Sequence, residues 1–148
     1  MKDYYISMFQ YEQWANQQIV NILQPNDSIN INLMFHLESA KHIWLSRIEN
    51  FKRTLRVFED ADIEKLIFWQ NKNTQDMNHF LEKLTQQKLD QMISYFNSER
   101  KTFENSVSDI IIQLIHHSCY HRGQVAKNLV INCQKPAITD YIHFKRTL

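Results

Sequence analysis

From Ser106 to Cys133 the chain reads SVSDIIIQLIHHSCYHRGQVAKNLVINC. Ser106-Val107-Ser108-Asp109 matches a capping box, in which a serine oxygen and an acidic side chain three residues on satisfy the free amides of a helix start. The helix it opens is expected to run from about Val107 to Cys133, with Pro136 just beyond. Ile110, Leu114, His117 and His121 recur along it at spacings that put them on one face. Gly123, inside this segment, is the only glycine in 148 residues. Average usage would supply roughly ten.

That scarcity decides the fold class. Turns with positive φ and phosphate-cradling loops draw on glycine. A P-loop, a dinucleotide-binding GxGxxG turn, a collagen repeat and a hairpin-rich β-sandwich are therefore excluded. With two prolines as well, the chain has few turns and long elements, which means helix.

Working outward, a first helix is expected from about Asp3 to Leu23, with Tyr4, Met8, Tyr11, Ala15, Ile19 and Ile22 at helical spacing. Pro25 and Asn26-Asp27-Ser28 end it. A second spans about Asn32 to Arg53, its inner stripe Leu33, Leu37, Ala40, Trp44, Ile48 and Phe51. An irregular stretch, Thr54 to Asp60, follows. Ile63, Leu66 and Ile67, then Met77, Phe80, Leu81 and Leu84, indicate a third helix with a possible break near Asn71 to Asn73. Near residues 89–104 the pattern changes to a short irregular or extended crossover, which Asn97-Ser98 can turn. Thr139-Asp140 can cap a last short helix ending in Phe144. Four long helices in one domain over 1–148 read as an all-α four-helix bundle.

The formal net charge of +1 gives no basic surface for nucleic acid. The longest strongly apolar run, about Ile110 to Ile112, falls far short of a membrane span, and no secretory leader is visible at the N-terminus. Cys119 and Cys133 on one helix would lie about 21 Å apart, too far to pair. Reduced thiols and a cytoplasmic location are the expectation.

Seven histidines supply the chemistry. His117 and His121, four apart, place their rings one turn apart on the face that holds Ile110 and Leu114. Imidazoles on a core-facing stripe need hydrogen bonds or a metal. An isolated pair would more often be two satisfied core histidines; a third ligand reverses that. His36 and His42 are six apart, about 240° around a helix, so they cannot share a site. His36 lies on the core side near Leu33 and Ala40, and His42 is expected in solvent. His79 and His143 read as surface or structural, and His116 as a neighbour of the site. His36, His117 and His121 would form a three-nitrogen site with open positions, catalytic in style. The donor set suits Zn, Ni, Fe or Cu without choosing, and no HExxH metalloprotease pattern is present.

Tyr11-Glu12-Gln13-Trp14-Ala15-Asn16 resembles the N-terminal Y-x-x-W-A-N signature of the DinB-like (YfiT-like) metal-dependent proteins. His36 with Trp44 is similar to that family's second-helix pattern, and His117 to Gln124 matches its H-x-x-x-H-R-G-Q element. Residues Pro136 to Phe144 are similar to its closing segment, so the resemblance spans the chain. It implies an up-down-down-up bundle, often a homodimer. It implies a divalent metal, commonly nickel or zinc, on the residues matching His36, His117 and His121. It also implies reactions with low-molecular-weight thiols such as bacillithiol or mycothiol. Two positions depart from the pattern: Lys41 stands where an acidic residue is common, and His116 where asparagine is frequent.

Two functions are expected to compete. In one, the metal activates a thiol for S-transfer, or water for hydrolysis, on a small-molecule substrate, with Gln124 and Asn128 lining the pocket. Arg122 points elsewhere. In the other, a dimeric bundle binds a metal or small molecule without turnover, for instance in a stress response. Gly123 lies about 200° around the helix from His121, on a face with Ile112, Cys119, Ala126 and Val130. That face is expected to pack closely against a neighbouring helix or a second subunit.

Overall fold

The computed structural model describes residues 2–97 and 99–148. Ser98, half of the expected Asn97-Ser98 turn, lies outside the described residues. Four long helices are present: α1 (Lys2–Val20), α2 (Ser28–Glu49), α3 (Ile63–Glu82) and, after a short α4 (Gln86–Asp90) and a hairpin of β1 (Met92–Phe96) and β2 (Thr102–Ser106), α5 (Val107–Ile131). A final turn, α6 (Tyr141–Lys145), closes the chain. Among the described residues no helix is long and apolar enough to cross a membrane.

The helix ends show how a chain with one glycine makes its turns. Asn50 (φ 54°) and Cys133 (φ 58°) take the left-handed position that glycine usually fills. Phe51 N–H then reaches the Ser46 carbonyl at 3.1 Å and Gln134 N–H the Leu129 carbonyl at 2.8 Å, closing the last helical turns. Asp27, expected to help end the first helix, instead caps the second: its carboxylate accepts from Asn30 N–H at 3.2 Å. So α1 stops at Val20, short of Leu23, and α2 begins at Ser28, ahead of Asn32, and stops at Glu49, short of Arg53. The expected capping box holds: Ser106 Oγ accepts from Asp109 N–H at 3.1 Å and Asp109 accepts from Ser106 N–H at 3.2 Å. The expected extended pair is the hairpin, in antiparallel register from Met92↔Ser106 to Phe96↔Thr102.

The packing gives the helix directions. Ile19 and Val20, late in α1, share a core cluster with Ile31 and Met34, early in α2, and with Val125 and Leu129, late in α5. Tyr5 and Phe9, early in α1, gather with Val107 and Ile111, early in α5. The same cluster joins Leu45 and Ile48, late in α2, to Phe80 and Leu81, late in α3. Hence α1 and α5 run one way and α2 and α3 the other: an up-down-down-up bundle. Because α2 and α3 are parallel, residues 50–62 must travel the length of the bundle, and this crossover passes the site described below.

Three expectations are corrected. No break interrupts α3: Asn73 is buried and its amide donates to both the carbonyl and the carboxylate of Glu38, each at 2.9 Å. Tyr4 is 61% exposed, and the inner face of α1 is led by Tyr5 and Phe9 instead. Among the described residues, nothing beyond its own stretch of helix lies within 4 Å of where a Gly123 Cβ would stand, so no neighbouring helix of the same chain packs there, and of the two expected partners only a second subunit is left.

A buried polar layer crosses the bundle. The Lys41 ammonium lies 2.8 Å from Glu38 and 3.2 Å from Glu12, and all three side chains are almost wholly enclosed. Glu12 also accepts from Asn16 at 2.6 Å and from the Ser118 hydroxyl at 2.8 Å. Arg122 donates to Asn16 and Ser118 at 3.0 and 2.9 Å. Burial pulls the Lys41 ammonium down, but the two carboxylates outweigh it and hold it above its ordinary value. Burial pushes Glu38 up, against the pull of Lys41. The layer fixes the rotation of α5, because Ser118 and Arg122 each follow a histidine of the motif.

Candidate metal centre

The capping box and polar layer hold α5 so that His117 and His121 face α2, where His36 meets them. His36 Nε2 lies 3.1 Å from His117 Nε2, and His121 Nε2 lies 3.0 Å from the same atom. Each of the three offers one ring nitrogen, all within 4.8 Å of one another.

Two of the rings have a fixed tautomer. The Val57 carbonyl, on the crossover, can only accept, so His36 Nδ1 at 2.8 Å carries the proton. Gln124 Oε1, at 2.7 Å, likewise accepts a hydrogen bond from His121 Nδ1–H. Both rings therefore turn a bare Nε2 lone pair toward His117 Nε2. One proton on His117 can serve only one of them, whereas a cation at the centre serves all three. The outer hydrogen bonds are those by which ligating imidazoles are usually oriented. Phe58 stacks on the His36 ring at 4.6 Å and an interplanar angle of 6°. The residues present thus fit a divalent ion.

The electrostatics agree. Burial, then the neighbouring His121 and His36, pull the His117 imidazole down to about 4. Burial pulls His121 down as well, opposed by the Gln124 hydrogen bond. Both shifts favour the neutral imidazole, the form that ligates metals.

Of the residues singled out in sequence, His36, His117 and His121 come together and Gln124 reaches the cluster as the partner of His121. Asn128 does not: its amide donates to Asn30 Oδ1 at 3.0 Å, tying α5 to the start of α2. His42, expected in solvent, is 4% exposed. The crossover covers it, with Thr54 N–H donating to its Nε2 at 3.1 Å, and Trp69 of α3 lies edge-on at 4.9 Å. Burial, then Lys72, pull its pKa down. His79 and His116 are exposed, and His143 leans on Trp14 at 5.9 Å. Arg122 is buried in the polar layer, away from the three imidazoles, as expected.

The sequence reading missed Val57 and Phe58. A backbone carbonyl has no sequence signal, and Phe58 sits with Leu55 and Val57 in a loop without helical or strand periodicity, so nothing marked it as the ring beside His36. Beside the triad lies a cavity of about 580 Å³, bounded by His36 and His117 and by Trp44, Arg47, Arg53 and Tyr95. A ligand placed there would lie against two of the three imidazoles.

A comparison with curated proteins finds no match. The sequence profile of the DinB family, in contrast, matches residues 1–147, essentially the whole chain. With the bundle, the H-x-x-x-H-R-G-Q helix and the three converging imidazoles already in place, the chain belongs to the DinB family.

Proposed function

We propose that this protein is a divalent-metal-dependent enzyme. Nickel or zinc is held by His36, His117 and His121, and a low-molecular-weight thiol is activated for S-transfer, or water for hydrolysis, on a small-molecule substrate. The observation that carries the reading is the convergence of three Nε2 atoms, two of them locked as bare lone pairs by Val57 and Gln124. A bound divalent ion supplies Lewis acidity, which lowers the pKa of a thiol or water so that it attacks at neutral pH. The chain's part is to leave coordination positions open, since three protein ligands do not complete a shell. It also holds the rings rigid and walls the adjoining cavity with Trp44 and Tyr95. A cytoplasmic location, where such thiols are kept reduced, belongs to the same reading.

The test is elemental analysis of the purified protein, then turnover of small electrophiles with bacillithiol, mycothiol and other biological thiols, and with water. About one divalent ion per chain is expected, with turnover that chelation abolishes. A metal-loaded protein that consumes nothing would be a binder and would sink the enzyme reading.

The reading includes a homodimer through the outer face of α5. Ile112, Tyr120, Val130 and Ile131 are exposed there around Gly123. Glycine inside a helix costs about 1 kcal/mol against alanine. If Gly123 meets only water, Gly123→Ala should raise the melting temperature by about 2–4 °C. The dimer reading expects no rise and a smaller dimer fraction by light scattering. A parent protein that is itself monomeric by light scattering, with Gly123→Ala stabilised, would overturn it.

A further inference from the structure

The cavity beside the histidines carries charge that the triad does not account for. His36, Ala40, Ile43, Trp44 and Arg47 all line it, forming one stripe of α2 about 16 Å long from the first residue to the last. At the far end the Arg47 guanidinium lies 4.4 Å from the centre of the Trp44 ring and 4.7 Å from that of Tyr95. Arg53, on the crossover, faces the same space. A guanidinium held against ring faces keeps its edge N–H groups free for a planar, two-toothed partner.

The described residues supply no such partner. Among the described residues every ion pair is made by a lysine, and the arginine side chain that donates hydrogen bonds is Arg122. No Asp or Glu lines the cavity. Asp109 lines an adjoining recess and is engaged by the Ser106 hydroxyl at 2.6 Å. Burial, then Arg53, pull the Arg47 pKa down, so the two cations are placed at a cost to each other. An oxyanion shared by them offsets both the burial cost and the repulsion.

We infer that this end of the cavity is an oxyanion subsite, in which Arg47 and Arg53 grip the carboxylate or phosphate of a small molecule whose reactive end reaches the three histidines. The inference rests on the proposed metal-enzyme reading for the reactive end only; the subsite itself needs no metal. The volume suits a molecule of drug size or below, and the aromatic walls suit a flat body.

The test uses protein dialysed against chelator, and the same protein reloaded with metal. Calorimetric titration compares benzoate and phenyl phosphate with benzamide, the uncharged match in shape. At least one anion should bind about tenfold tighter than benzamide in both metal states, roughly the effect of one charged hydrogen bond. The tighter anion identifies the oxyanion. Arg47→Gln and Arg53→Gln should each weaken anion binding, and the double variant should remove the preference; Arg53 is exposed on the crossover, so Arg53→Gln keeps the fold. Benzamide binding as tightly as both anions, or a double variant that keeps the preference, would overturn the subsite. Neither result depends on metal content or turnover, so the subsite and the enzyme reading fail separately.

Discussion

Lys41→Met should lower the melting temperature by roughly 6–20 °C. Lys41 is 5% exposed and lies between two carboxylates that are each 1% exposed, Glu12 and Glu38. Removing one partner from a buried charged group costs about 3–5 kcal/mol, because the others remain enclosed and uncompensated. In a chain of this size each kcal/mol moves the midpoint by about 2–4 °C. The loss should depend on pH in a defined direction. Without the ammonium, burial and the neighbouring Glu12 hold the Glu38 carboxyl in the folded state still further above its value in the unfolded chain. The folded variant then binds more protons, so its stability is greatest at acid pH and falls as pH rises through the raised value. The deficit against the parent protein should therefore narrow below about pH 5 and widen toward pH 8. A double variant, Glu38→Gln with Lys41→Met, removes the closest ion pair together, keeps an acceptor for Asn73 and leaves Glu12 in the layer with Arg122, and should lose less than the single change. Thermal melts across pH decide the matter; a single variant within about 2 °C of the parent would show that the buried ammonium does not hold the layer together.

Lys41 also shows where sequence reading stops. It was visible as a departure from a familiar pattern, but its enclosure was not, because neither Glu12 nor Glu38 stood out from an ordinary helical face. The same limit explains the stripe assigned to the second helix. Periodicity finds a buried face when the other face is wet, as in α3, where Met77, Phe80 and Leu81 are buried as expected. The second helix touches α3, α5 and the hairpin, so Ile31, Met34, Phe35 and Leu45 are buried too, and its stripe could not mark an inside. His42 was misplaced for that reason. Its divergence from His36 followed from helix geometry, but what lay on its side depended on a crossover whose path only the parallel placing of α2 and α3 dictates. His117 and His121 were legible because a spacing of four is a local property of a helix. The hydrogen bond from His36 to Val57 was not, since it joins residues 21 apart through a backbone atom.

His117→Ala should abolish the stabilisation that a divalent metal gives the protein, while Gln124→Leu should only reduce it. His117 Nε2 is the atom within 3.1 Å of both other ring nitrogens, so its loss leaves two donors on different helices. Gln124 ligates nothing in this arrangement; it fixes the His121 tautomer at 2.7 Å. Losing such an orienting partner typically costs 10–100-fold in metal affinity. At a free metal concentration of about 100 times the dissociation constant, binding stabilises the parent by about 2.7 kcal/mol, or roughly 5–11 °C. With affinity reduced 10–100-fold, Gln124→Leu keeps about 0.4–1.4 kcal/mol of that at the same concentration. His117→Ala should keep none. Asn128→Ala serves as the control, since its bond to Asn30 lies away from the triad, and its metal-dependent shift should equal that of the parent. The measurement is a set of thermal melts with and without nickel or zinc, each compared with its own chelated sample. In the chelated samples His117→Ala should melt close to the parent, because the half-buried ring satisfies only one of the two lone pairs that face it. A metal shift of undiminished size in His117→Ala would place the ion elsewhere in the bundle.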